Sequence, residues 1–107
     1  MPFKGVMMAE FIYLLKLRPD LLDDEIWTDI EEKIVGEHFH RLKKDTEMGK
    51  VILAGRTTNS DSSQFGIIIF KEKSWDTALE YMNTDPAVKE GVMTATLYPY
   101  RVALMKK

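Results

Sequence analysis

The sequence predicts a single α+β domain of ferredoxin-like βαββαβ order, a four-stranded antiparallel sheet with both helices on one face. Three observations point there. Apolar runs around Phe11 and Ile68, rich in aromatic and branched residues, read as strands buried on both faces. Stretches opening at Thr28 and Ser74 read as capped amphipathic helices. The order of these elements is that of a split βαβ unit.

Size and composition set the frame. A chain of 107 residues has room for one domain, so 1–107 is taken as a single unit. With 45% apolar and 30% charged residues it is globular rather than disordered. The formal net charge is −2 and the basic residues are scattered, which argues against a nucleic-acid partner, since phosphate binding needs a concentrated basic face. No cysteine is present, which excludes disulfides, thiolate chemistry and a cysteine zinc site and fits a reducing compartment. The N-terminus carries one Lys and no long apolar core, and no apolar run approaches a bilayer span of ~20 residues. A cytoplasmic protein without membrane partners is expected.

The first strand is Glu10 to Leu17, stopped by Arg18-Pro19. Asp20 to Asp24 connect it to a helix whose start is marked by the capping box Thr28-Asp29-Ile30-Glu31. Ile30, Ile34, His38 and Leu42 form a stripe at i+4 spacing, with Val35 and Phe39 beside it, and Met48-Gly49 closes the helix. A second strand covers Lys50 to Arg56. Thr57 to Ser63 is polar and the least structured stretch, and Phe65 to Phe70 is the third strand. Ser74 caps a second helix with Trp75, Ala78, Leu79 and Met82 on one side. Asp85-Pro86 opens a short turn ending at Gly91, and a last strand runs from Thr94 to about Met105, interrupted at Pro99. The seven methionines read mainly as core filling.

An antiparallel sheet covered on one side should alternate apolar and polar residues, yet the first and third strands do not. Phe11, Tyr13 and Leu15 point one way; Ile12, Leu14 and the stem of Lys16 point the other. A wet apolar face of several hundred Å² is unfavourable, so a homodimer packed through that face is expected, with higher oligomers open. A small ligand would sit between sheet and helix.

His38 lies in the inward row of the first helix, between Ile34 and Leu42. His40 is about 200° round the helix and faces out, so the two imidazoles cannot converge on a metal and no metal site is expected. An inward imidazole needs a hydrogen-bond partner, and a carboxylate would fix its tautomer and raise its basicity. A core histidine without function is the plain alternative. Asp85 before Pro86 is a sound N-cap, which explains it without chemistry, although one carboxylate can both cap a helix and orient an imidazole. Arg56 ends a strand where a cavity mouth would lie; an anchor for an anionic substrate and an exposed salt bridge are its two readings. No glycine-rich phosphate loop exists, and the serines Ser60, Ser62 and Ser63 lack a nucleophile's context.

These residues carry a resemblance. His38-Phe-His-Arg-Leu42 followed by Gly49-Lys-Val-Ile-Leu-Ala-Gly55 resembles the helix-to-strand motif of the YCII-related (YciI-like) family. Phe65 to Phe70, Asp85 to Met93 and Leu97 to Leu104 continue it, so the recognisable core is about 11–104. The resemblance implies a dimeric α+β barrel and a site built from a His–Asp pair, His38 and Asp85, with no cofactor. It also suggests lyase-like elimination on a cyclic or aromatic small molecule. Many members have Pro where this chain has Arg56, so the cavity rim differs. Alternatives are a non-catalytic module that binds a small metabolite and a structural dimeric domain.

Overall fold

A computed structural model describes residues 8–107. The N-terminal reading, one Lys and no long apolar core, rests largely on residues outside that range. The chain forms β1 (Ala9–Leu17), α1 (Asp29–Glu47), β2 (Val51–Arg56), β3 (Gly66–Glu72), α2 (Trp75–Asn83), α3 (Pro86–Lys89) and β4 (Met93–Tyr100). The strands make one antiparallel sheet in the order β2-β3-β1-β4. The expected βαββαβ architecture, with helices on one face, is what these elements build.

Local chemistry places the helices as the caps suggest. Glu31 accepts from the Thr28 N–H at 2.7 Å to close the capping box of α1. Gly49, at φ +87°, ends α1 in the left-handed conformation that glycine adopts without a Cβ clash. Ser74 and Thr77 cap α2 reciprocally. Asp20 to Asp24, expected as a connection, fall in two short 3₁₀ turns, Pro19–Leu22 and Asp24–Ile26.

The core lies between the helices and one face of the sheet. It joins Phe11, Tyr13 and Leu15 of β1 to Ile68 and Phe70 of β3, Leu42 of α1, and Ala78, Tyr81 and Met82 of α2. Tyr13 is fully buried, and its ring meets Phe70 edge-on at 5.6 Å. Arg41 fixes α1 against α2: it donates to the Tyr81 carbonyl at 2.7 Å and its guanidinium lies 4.0 Å from the centre of the Tyr81 ring. On the opposite face Ile12 stands between Ile69 and Tyr98, and Leu14 between Ile67 and Thr96, so the expected second apolar face is present.

Four local expectations need correction. β4 ends at Tyr100 rather than near Met105, and Pro99 lies within the ladder opposite Phe11. β4 is an edge strand, where a missing N–H costs no ladder bond on the open side. Ile30 and Phe39 are two-thirds exposed: Ile30 stands in the first turn of α1, and Phe39 borders the open cavity beside the helix. The Trp75 ring is half-exposed and meets Phe11 edge-on from the rim. Of the methionines among the described residues, Met82 is buried and Met93 packs partly buried against the core, while Met8, Met48 and Met105 are exposed.

Candidate active site

The fold brings three elements together at one carboxylate. Asp85 ends the α2 connection and is fully buried as the N-cap of α3, its Oδ1 accepting from the Ala87 N–H at 3.0 Å. The same Oδ1 lies 2.7 Å from His38 Nδ1 on α1. Its other oxygen, Oδ2, accepts from the Tyr13 hydroxyl on β1 at 2.6 Å. The sequence alone offered capping or imidazole orientation; the geometry combines them and adds a tyrosine.

The electrostatics follow from these contacts. Burial pushes the Asp85 carboxyl up, but the hydrogen bond and charge of His38, then Tyr13 and the Ala87 N–H, outweigh it and hold the group below the usual carboxylate range. Burial pushes the Tyr13 hydroxyl far up, and the Asp85 carboxylate adds to it, so the phenol keeps its proton and serves as donor. An ionised carboxylate can only accept. His38 Nδ1 therefore carries hydrogen, and in the neutral imidazole the lone pair stands on Nε2.

His38 also lines a cavity of about 1070 Å³ between α1 and the β2–β3 half of the sheet. Every buried side-chain nitrogen or oxygen among the described residues has a partner, whereas His38 Nε2 has none, so Nε2 is not sealed off. The walls are chiefly apolar, with Leu15, Leu21, Trp27, Val35 and Ile68 among them. Small residues on the inner face keep the space open: Ala54 on β2 and Gly66 on β3. Trp27 is held in the wall by its indole N–H, which donates to the Leu21 carbonyl at 2.7 Å. The Thr57 to Ser63 stretch has no helix or strand, but Asp61 accepts from the Ser63 N–H at 2.9 Å and from Asn59 at 2.8 Å.

The other candidates separate. His40 is exposed and points away, as helical phase requires. Arg56 lines the cavity and is exposed, and it joins none of the ion pairs among the described residues. Tyr13 was missed at the sequence level and read only as part of a strand. The available signal was a phenol at the centre of an otherwise wholly apolar inward face, Phe11 and Leu15 flanking it, since a buried hydroxyl needs a partner. Among the described residues no three His, Cys, Asp or Glu side chains gather as metal ligands, and no helix is long and apolar enough to cross a membrane.

A ferredoxin-like α+β domain with a His–Asp–Tyr constellation on an apolar cavity is the class that fold and site define. The chain belongs to the YCII-related domain family, whose model matches residues 9–99. No curated protein matches the chain. Among solved structures it is similar to 5-chloro-2-hydroxyhydroquinone dehydrochlorinase from Burkholderia phenoliruptrix, in complex with 2,5-dihydroxybenzoquinone. That likeness has a TM-score of 0.64 at 19% identity, covering 86% of this chain and 93% of the other, and shows a shared fold.

Proposed function

We propose that this chain is a cytoplasmic acid/base enzyme that promotes elimination on a small ring compound. His38 Nε2 removes the proton, and Asp85 holds the imidazole and stabilises its charged form. The observation that carries this reading is the one-sided engagement of His38. Nδ1 is held by a buried carboxylate at 2.7 Å, and Nε2 is left toward an apolar cavity. In such an elimination the base takes a proton, the bonding electron pair moves into the ring, and the leaving group departs as an anion. The step balances without an oxidant or reductant. The similar dehydrochlorinase, bound to a quinone, supports the choice of a ring compound.

The active unit in this proposal is a homodimer joined through the outer sheet face. Ile12, Leu14 and Ile67 are only half-buried there, and Leu53 and Tyr98 are about half-exposed. A cysteine-free chain suits a cytoplasmic setting.

Chloride release from 5-chloro-2-hydroxyhydroquinone tests the reaction, with circular dichroism to confirm that variants fold. Wild-type protein should turn the compound over, and His38→Ala should lower the rate by roughly 10²–10⁴-fold. Equal rates would exclude His38 as the base. No release by wild-type protein would favour a non-catalytic binding module.

A further inference from the structure

Among the described charged residues that line the cavity, one cation is left without a counter-ion. Lys43 is paired with Glu47 at 2.7 Å. Asp24 lies on the turn before α1, whereas Arg56 ends β2 and has no carboxylate oxygen within 4.0 Å among the described residues. A guanidinium keeps its charge and offers five donors in a planar fork suited to a carboxylate.

The register fixes where that cation stands. Arg56 pairs with Gly66, and Gly66 pairs with Leu15, all on the sheet face that carries Tyr13. Gly66 leaves a gap at this spot: a Cβ there would come within 3.7 Å of both the Arg56 and Leu15 Cβ atoms and 3.3 Å of the Gly55 carbonyl oxygen. Arg56 on β2 and His38 on α1 both line the cavity, from different walls, so a substituted ring lying between them can present its acidic group to one and its reacting centre to the other.

We propose that Arg56 is the anion anchor of the cavity, so that the ligand is a ring compound bearing a carboxylate or comparable acidic oxygen group. This rests on the small-ring reading of the same cavity and adds the ligand's charge and its orientation. The ring's acidic end faces Arg56 and the opposite end faces His38 Nε2. Arg56 acts in binding and not in proton transfer.

Paired probes test this without turnover: 2,5-dihydroxybenzoate and its neutral analogue 2,5-dihydroxybenzamide, titrated by calorimetry, with Trp27 fluorescence reporting cavity occupancy. Wild-type protein should bind the benzoate about tenfold more tightly than the benzamide. Arg56→Met should remove that preference while keeping the benzamide affinity within about twofold, and Arg56→Lys should retain part of the preference. His38→Ala should keep the preference, so a failed elimination assay leaves this assignment standing. Equal binding of the two probes by wild-type protein, a preference that survives in Arg56→Met, or no binding of either probe would overturn it.

Discussion

The Tyr13 hydroxyl donates to Asp85 Oδ2 at 2.6 Å, on the carboxylate oxygen that His38 does not use. This bond ties the middle of the sheet to the start of α3, and it leaves Asp85 one orientation in which all its donors are satisfied. Tyr13→Phe keeps the ring and its packing but strips Oδ2 of its partner. We expect a loss of about 1.5–3 kcal/mol in urea unfolding, the range for a hydrogen bond to a charged group. The lost bond was one that lowered the Asp85 carboxyl, so its pKa rises toward the ordinary value and the stability lost on acidification becomes smaller in the variant than in wild type. An unchanged acid dependence with unchanged stability would show that the tyrosine is idle.

The acid stability of the protein should carry the mark of Asp85. Its folded carboxyl lies below the ordinary value of about 3.9, so the unfolded chain binds this proton first as pH falls. The stabilisation is therefore complete above the unfolded pKa and lost as pH drops through the lower folded one. Exposed carboxyls such as Asp20 and Glu31 shift in the same direction, so the wild-type curve alone does not isolate the effect. The difference in unfolding free energy between wild type and Asp85→Asn should shrink as pH falls below about 4. A difference constant from pH 6 to pH 2 would contradict the pairing.

Removing the carboxylate outright is the harsher test. Asp85→Ala leaves the His38 ring, the Tyr13 hydroxyl and the Ala87 N–H facing a site with no acceptor. Leaving buried donors without an acceptor costs about 1–3 kcal/mol each. His38→Ala should cost less, because Asp85 keeps two of its three donors. Thermal unfolding of the two variants side by side checks that order.

The outer sheet face predicts assembly. Leu14 stands between Ile67 and Thr96 on that face, away from the helices and the cavity. Light scattering at micromolar concentration should give the mass of two 12.4 kDa chains. Leu14→Arg should shift it to one chain with the far-ultraviolet spectrum unchanged. A wild-type monomer would end the dimer reading.

Much of the fold was legible because each element carried its own local signal. Thr28 with Glu31 and Ser74 with Thr77 sit where caps are needed, and the Phe11–Leu15 alternation settled which β1 side chains share the core. The end of β4 was not legible, because Arg101 to Met105 looks as strand-like as the ladder before it and only pairing with β1 decides where it stops. Helical phase sent His38 inward and His40 outward. The join of His38 to Asp85 spans 47 residues of chain and the join of Asp85 to Tyr13 spans 72, contacts that local patterns do not encode. The resemblance bridged the first of these. The second emerged only with the three-dimensional arrangement.

The claim at the centre of this account is that His38 gives Nδ1–H to Asp85 and leaves a basic lone pair on Nε2 toward the cavity. Nitrogen-15 spectra of the histidine rings, recorded above the imidazole titration range with His38→Gln used for assignment, measure that directly. The account predicts a protonated Nδ1 and an unprotonated Nε2 for His38, with that preference weakened in Asp85→Asn. A His38 ring carrying its hydrogen on Nε2 would contradict it, because the nitrogen facing the cavity could then take no proton from a ligand.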